Sequence, residues 1–164
     1  MHAGEGLSRQ TAQQLDRLAQ MRHTRPLSGG ESAMPTELTI LAWGAVLLFV
    51  HIFAAVQAKT RQYGTTWNMG ARDEALPPPA PVVGRLERAR DNFLETLPIA
   101  IIALLGVVVA GKTSSTTALG GWLWLGARVV YLPLYGFGVP KVRTLVWMVS
   151  IFGLILAIKP LLVG

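Results

Sequence analysis

The chain has 164 residues, of which 51% are hydrophobic, with a mean hydropathy of +0.42 and a formal charge of +6. This composition is too apolar for an ordinary soluble domain and is typical of an integral membrane protein. The absence of cysteine excludes disulfides, thiolate nucleophiles and cysteine-based metal sites. The basic residues lie beside apolar runs, which favours membrane orientation or a small anionic ligand over nucleic acid.

The first 33 residues form a polar segment. They are rich in Gln, Arg, Ser and Gly and lack the apolar core of a secretory signal peptide. We predict a short helix over residues 8–22, with Leu15, Leu18 and Met21 at helical spacing. Met34 directly precedes the first apolar run. Residues 1–33 are therefore expected to be an extension of a domain over residues 34–164, or to lie upstream of a true start at Met34.

Four apolar runs follow, each close to the ~20 residues that cross a bilayer. They are Leu38–Gln57, Phe93–Ala110 (in a helix beginning near Val83), Ala118–Gly138 and Thr144–Gly164. The segment Leu76-Pro-Pro-Pro-Ala-Pro81 cannot be helical. The other two connections are short, so consecutive helices should be antiparallel neighbours. We predict an all-α, integral membrane four-helix up-down bundle.

The basic residues also predict the orientation of the chain in the membrane. The first and third connections and their flanks carry eight lysines and arginines, against six on the opposite side when residues 1–33 are counted. The positive-inside rule then puts these two connections in the cytoplasm and both termini outside it.

Polar residues mark one face of the second and third predicted helices. Arg88, Asn92 and Glu95 stand at i, i+4 and i+7, and Arg128 shares a face with two tyrosines at i+3 and i+7. Glu95 and Arg128 both lie ten residues from the predicted cytoplasmic ends, about 15 Å deep at ~1.5 Å per residue. A charge at this depth is costly unless paired, so we predict that Glu95 and Arg128 form an ion pair. His51 falls at a similar level.

Plainer roles remain open for these residues. The Glu95–Arg128 pair would also serve as a clamp that fixes helix register. His51 also fits a hydrogen-bonded packing role, because no second His or Asp stands at metal-ligand spacing, and we predict no metal site. The tyrosines also suit an interfacial aromatic belt, and Arg143 also suits a role in topology alone.

The sequence resembles a known membrane family. Glu87-Arg-Ala-x-x-Asn92-x-x-Glu95-x-x-Pro98 resembles the signature of the MAPEG family, membrane-associated proteins in eicosanoid and glutathione metabolism. Arg128-x-x-Tyr131-x-x-x-Tyr135, followed by Arg143-Thr144, is similar to the second polar cluster of that family. The segment at the end of the first helix, Gln57-Ala-Lys59-Thr-Arg61, also resembles the pattern of that family.

The resemblance implies a homotrimer of four-helix subunits, here in a bacterial inner membrane and surrounded by lipid. Each site would bind glutathione from the cytoplasmic side and transfer it to a small lipophilic electrophile, or reduce that electrophile. The implied glutathione-binding residues are Lys59, Arg61, Arg88, Asn92, Glu95, Arg128 and Tyr131. The implied catalytic residues are Tyr135 beside the thiol, and Arg143 with Thr144 stabilising the thiolate.

The sequence departs from the family pattern at one important position. Asp91 stands where several glutathione-using relatives have a basic residue, and an acid there would repel a ligand carboxylate. Two other functions therefore stay open. One is a non-catalytic lipid-binding or scaffolding protein. The other is a small transporter or proton pathway built on Glu95, Arg128 and His51.

Overall fold

The computed structural model describes residues 13–14, 16–17 and 33–163, and the chain divides into two units, Met1–Ala33 and Met34–Gly164. In the first unit, the described residues 13–14 and 16–17 are helical and exposed. The rest of the helix predicted over residues 8–22, including its three apolar positions, lies outside the described residues.

The second unit is built from helices. These are α1 (Thr36–Tyr63), the short α2 (Thr65–Met69), α3 (Pro81–Val109), α4 (Ser115–Phe137) and α5 (Pro140–Leu162). Over the described part of the chain the all-α prediction is confirmed. The long helices extend past most of the predicted boundaries, because helical backbone continues beyond the apolar runs into their polar flanks.

Local sequence explains where these helices begin and end. Proline occupies the first position of α3 and α5, where its missing N–H costs nothing. The prediction that Pro81 lies outside the helix is therefore wrong by this one residue. At the start of α4 the hydroxyl of Ser114 accepts a hydrogen bond from the backbone N–H of Thr117, and α4 ends at Gly138, whose φ of 77° suits glycine.

Contacts between helix ends give the relative directions of the helices. Lys59 near the end of α1 bonds to Glu87 near the start of α3, so these two helices run antiparallel. Near the start of α3, Arg85 donates to the carbonyl oxygen of Gly136 at the end of α4, so α3 and α4 are antiparallel as well. The ends of α1 and α4 and the starts of α3 and α5 thus lie at one end of the unit, which we call the polar end.

Among the described residues, three helices are long and apolar enough to cross a membrane: α1, α3 and α5. The helix α4 has a sufficient 23 residues but lower hydropathy, because it contains Arg128, two tyrosines and several glycines. Large apolar side chains such as Phe49, Ile102 and Phe152 are exposed on the outer surface. A surface of this kind fits a lipid environment.

Candidate functional site

The guanidinium group of Arg128 lies inside the packed helices, on a residue that stands nine positions before the end of α4. Its side chain is fully buried, and its Nη1 donates to Oδ1 of Asn92 at 2.7 Å while Nη2 donates to Oγ1 of Thr96 at 2.9 Å. The prediction that Arg128 lies level with Glu95 is confirmed, because these partners lie within one helical turn of Glu95. The side chains that hold this arginine, however, carry no charge.

The predicted ion pair between Glu95 and Arg128 is wrong. Glu95 is exposed on the outer surface of α3, and the ion pairs of the described residues do not include it. The inward face of α3 instead contains Ala89, Phe93 and Thr96, which are buried. Successive helical residues differ by about 100° in direction, so this inward face leaves Glu95 pointing outwards. Its Oε2 accepts a weak 3.4 Å hydrogen bond from Asn92.

Two tyrosines form the centre of a cluster beside this arginine. The rings of Tyr131 and Tyr135 meet edge to face, with centroids 5.3 Å apart, and both residues are buried. The guanidinium of Arg128 lies 5.3 Å from the ring centroid of Tyr131. The guanidinium of Arg143 lies 4.4 Å from the ring of Tyr135, and that of Arg88 lies 6.0 Å from the same ring. Three cations therefore surround one tyrosine pair.

The structure brings together most, but not all, of the residues implied by the family resemblance. Lys59 is paired with Glu87 at 2.7 Å and lies 5.8 Å from the ring of Trp67, so its charge is already balanced within the chain. Arg61 and Thr144 are exposed, and the hydroxyl of Thr144 donates to the carbonyl oxygen of Pro140 in its own helix. Among the described residues, none of these three side chains has a hydrogen bond or a cation–π contact with Tyr131 or Tyr135.

Asp91 is neutralised by its neighbour. Both Nε and Nη2 of Arg90 donate to Oδ1 of Asp91, at 2.9 and 2.7 Å, and Asp91 is exposed. An ion pair of this kind reduces the repulsion that Asp91 would exert on an anion at the cluster. The departure from the family pattern is therefore partly offset within the same helix.

His51 occupies a packing position. It is fully buried, its Nδ1 donates to the carbonyl oxygen of Leu47 at 2.9 Å, and its ring stacks on Phe93 with a centroid separation of 4.8 Å. This bears out the simpler of its two predicted roles. Within the described residues its Nε2 has no hydrogen-bond partner.

Sequence reasoning did not predict the roles of Thr96 and of Glu87, although Glu87 stands in the family signature quoted above. Thr96 accepts a hydrogen bond from the buried guanidinium of Arg128. Glu87 forms a salt bridge with Lys59. The only available signal for Thr96 was its i+4 spacing from Asn92, which puts both on one face. In the described residues no three His, Asp or Glu side chains lie together in a way that could hold a metal ion.

The cluster can attract an anion. Its cations Arg88, Arg128 and Arg143 are not paired with any carboxylate in the described part of the chain, while Glu95 is linked to the cluster through its hydrogen bond from Asn92. Comparison with known families gives one finding: the MAPEG family model matches residues 40–162. Searches of curated proteins and of solved structures found no significant match.

Proposed function

Because the chain is a membrane protein that belongs to the MAPEG family, we propose that it binds glutathione or a related thiol and transfers it to a lipophilic electrophile. In this proposal α1, α3, α4 and α5 form an up-down four-helix bundle, three copies of which assemble in a bacterial inner membrane. The polar end faces the cytoplasm, and both termini lie outside it.

The observation that carries the proposal is the excess of positive charge around Tyr131 and Tyr135. Burying a guanidinium without a counter-charge is costly, and Arg128 has only neutral partners. An anionic ligand at the cluster would supply the missing charge. A tripeptide with two carboxylates and one ammonium group matches three arginines and one glutamate. Lys59 and Arg61 remain proposed outer contacts for a ligand carboxylate.

The same groups suit thiol chemistry. A cation and a phenol beside sulfur stabilise the thiolate and increase its fraction at neutral pH. Arg143 and Tyr135 would supply these two groups, since the guanidinium lies over the phenol ring. With an α,β-unsaturated carbonyl substrate, the thiolate forms the new S–C bond as the π electrons move to the carbonyl oxygen. The resulting enolate then takes a proton from water.

The proposal is tested by calorimetry of glutathione binding to the purified protein in detergent. We expect saturable binding at millimolar concentrations or below. Arg143→Ala and Glu95→Gln should each weaken it at least tenfold, equivalent to ~1.4 kcal/mol. Lys159→Gln is the matched control, because it removes one exposed charge near the end of α5, away from the polar end. Absent binding, or equal losses in all three variants, would contradict the proposal.

One observation favours a second candidate, a non-catalytic lipid-binding protein. A groove of about 380 Å³ between α1 and α4 is lined by apolar side chains, including Trp43, Val50, Trp122 and Val129. A surface groove of this chemistry suits an acyl chain. Saturable binding of a brominated phospholipid, measured by tryptophan quenching and unaffected by glutathione, would support this function over thiol transfer.

A further inference from the structure

We propose that Arg85 is a positioning residue, which aligns the groups that stabilise the bound thiolate with the groups that hold the rest of the ligand. It acts through a hydrogen bond to the end of α4 and does not touch the ligand itself. The inference rests on the proposed thiol transfer, because it names a residue on which the rate of that reaction depends. Arg85 stands two positions before the family signature quoted above, and the resemblance assigns it no role.

The guanidinium of Arg85 lies against the last turn of α4. Its Nε donates to the carbonyl oxygen of Gly136 at 3.0 Å, a partly buried contact between residues 51 positions apart in the chain. The last carbonyl groups of a helix have no partner within that helix, and the negative end of the helix dipole favours a cation beside them. Arg85 belongs to none of the ion pairs of the described residues, so its charge stays available to this helix end. A side chain of α3 therefore caps α4.

The turn after α4 accommodates this side chain closely. Only Gly138 and Val139 separate α4 from α5. A Cβ atom on Gly138 would lie 3.2 Å from Nη1 of Arg85, and the φ of 77° at this residue also favours glycine. The backbone N–H groups of the two turn residues donate to the carbonyl oxygens of Tyr135 and Leu134, at 3.1 and 3.0 Å. The turn is thus tied to the same last residues of α4 that Arg85 holds.

The bond of Arg85 joins the three helices that supply the tyrosine cluster. On α3, Arg88 follows Arg85 by about one turn. On α4, Tyr135 directly precedes the bonded Gly136, and on α5, Arg143 lies in the first turn. The guanidinium groups of Arg88 and Arg143 lie 6.0 and 4.4 Å from the ring centroid of Tyr135. These distances depend on how the three helix ends are held together, and Arg85 holds them.

Arg85 should matter more for the chemical step than for ligand binding. Of the proposed binding residues, Asn92 and Arg128 lie about two turns or more along their helices from this contact. The groups proposed to stabilise the thiolate, Tyr135 and Arg143, lie instead on the last turn of α4 and the first turn of α5. Displacing a catalytic group by about 1 Å can lower a rate ~100-fold. Loss of the Arg85 bond should therefore slow thiol transfer while most of the binding contacts remain.

The test compares Arg85→Met with Arg85→Lys in the full-length protein purified in detergent. Methionine keeps an unbranched side chain but has no donor, whereas lysine keeps a cationic donor for the carbonyl oxygen. With glutathione and a 2-alkenal, we expect Arg85→Met to lower kcat by about tenfold or more. The Kd for glutathione, measured by calorimetry, should rise by less than about threefold. Arg85→Lys should recover at least about a third of the wild-type kcat, because the contact is a single hydrogen bond and not a bidentate one.

Lys112→Met is the matched control. The Nζ of Lys112 also donates to the carbonyl oxygen of a residue near a helix end, that of Pro160 at 2.9 Å, but this contact lies away from the polar end. The substitution likewise removes a cation and one hydrogen bond, so a general loss of stability would appear in both methionine variants. We expect Lys112→Met to leave kcat and the Kd for glutathione unchanged.

Hydrogen exchange, read by mass spectrometry on a peptide covering residues 134–143, tests the contact without a ligand. Arg85→Met should make the backbone N–H groups of Gly138 and Val139 exchange about tenfold faster than they do in Lys112→Met. Unchanged exchange would overturn the inference. Equal losses of kcat and of glutathione affinity in Arg85→Met would also overturn it, because they indicate a purely structural role.

The inference and the proposed function fail in different ways. Absent glutathione binding or transfer by the wild-type protein would refute the proposed function, and the role of Arg85 with it. Normal turnover by Arg85→Met, beside normal turnover by the wild-type protein, would refute the role of Arg85 alone.

Discussion

At the scale of single residues, the burial of Arg128 depends on neutral acceptors. Its two outer nitrogens donate to Asn92 and Thr96, while its Nε has no partner among the described residues. Hydrogen bonds to a charged group contribute more to stability than bonds between neutral groups. If they are lost, the buried charge has no water to replace them. Asn92 and Thr96 therefore hold the guanidinium in place in the absence of a ligand.

Replacing Thr96 by valine tests this arrangement. Valine keeps the shape but removes the acceptor of a 2.9 Å hydrogen bond, and we expect a loss of about 1–2 kcal/mol in unfolding free energy. Thr96→Ser keeps the hydroxyl and should lose less. The measurement is equilibrium unfolding in mixed micelles with sodium dodecyl sulfate. Equal stability of the two variants would show that the hydroxyl contributes nothing.

The depth of Arg128 could be predicted from the sequence, whereas its partner could not. The position of a residue along the helix axis follows from the constant rise per residue, so it can be calculated once the ends of the helix are predicted. The partner depends on how α3 is rotated about its axis, and a change of one residue alters direction by about 100°. That rotation is set by the packing of Ala89 and Phe93 against neighbouring helices, which residue spacing within one helix does not reveal.

At the scale of helices, the contact between α4 and α5 is unusually close. A Cβ on Gly120 would lie 2.5 Å from the carbonyl oxygen of Gly153, and a Cβ on Gly153 would lie equally near the carbonyl oxygen of Gly120. Small residues that let helix backbones approach are a recurrent way of joining helices in membranes. The four long helices could be predicted from the sequence, whereas the short α2 was not. This contact was not predicted, because glycine is common throughout α4.

Gly153→Ala should therefore separate α4 from α5. The added methyl group meets backbone atoms of α4, which cannot move aside as a flexible side chain would. We expect a loss of about 1–3 kcal/mol, typical of overpacking, seen as a lower midpoint of thermal unfolding in detergent. Gly126→Ala is the control, since its new methyl group meets open space and alanine favours the helix by ~1 kcal/mol. A Gly153→Ala variant as stable as this control would refute the close contact.

At the scale of the whole molecule, the outer surface of α3 is unsuited to lipid. Arg88, Asp91 and Glu95 are exposed along one side of this membrane-capable helix. Glu95 lies about 15 Å beyond Arg85 at ~1.5 Å per residue, and a charge at that depth in contact with lipid would be costly. A second copy of the chain would cover this stripe, which supports the proposed trimer.

The trimer predicts a specific pattern of contacts between copies. Leu94 lies beside the charged stripe of α3, and the chain has no native cysteine. A short bismaleimide should therefore join copies that carry Leu94→Cys, and native mass spectrometry should give the mass of three chains. Phe152→Cys, on the exposed side of α5, is the matched control and should cross-link far less. A monomeric mass in mild detergent, or equal cross-linking from both positions, would exclude α3 as the interface. The charged stripe would then have to face a different partner or a water-filled cavity, since lipid alone cannot solvate it.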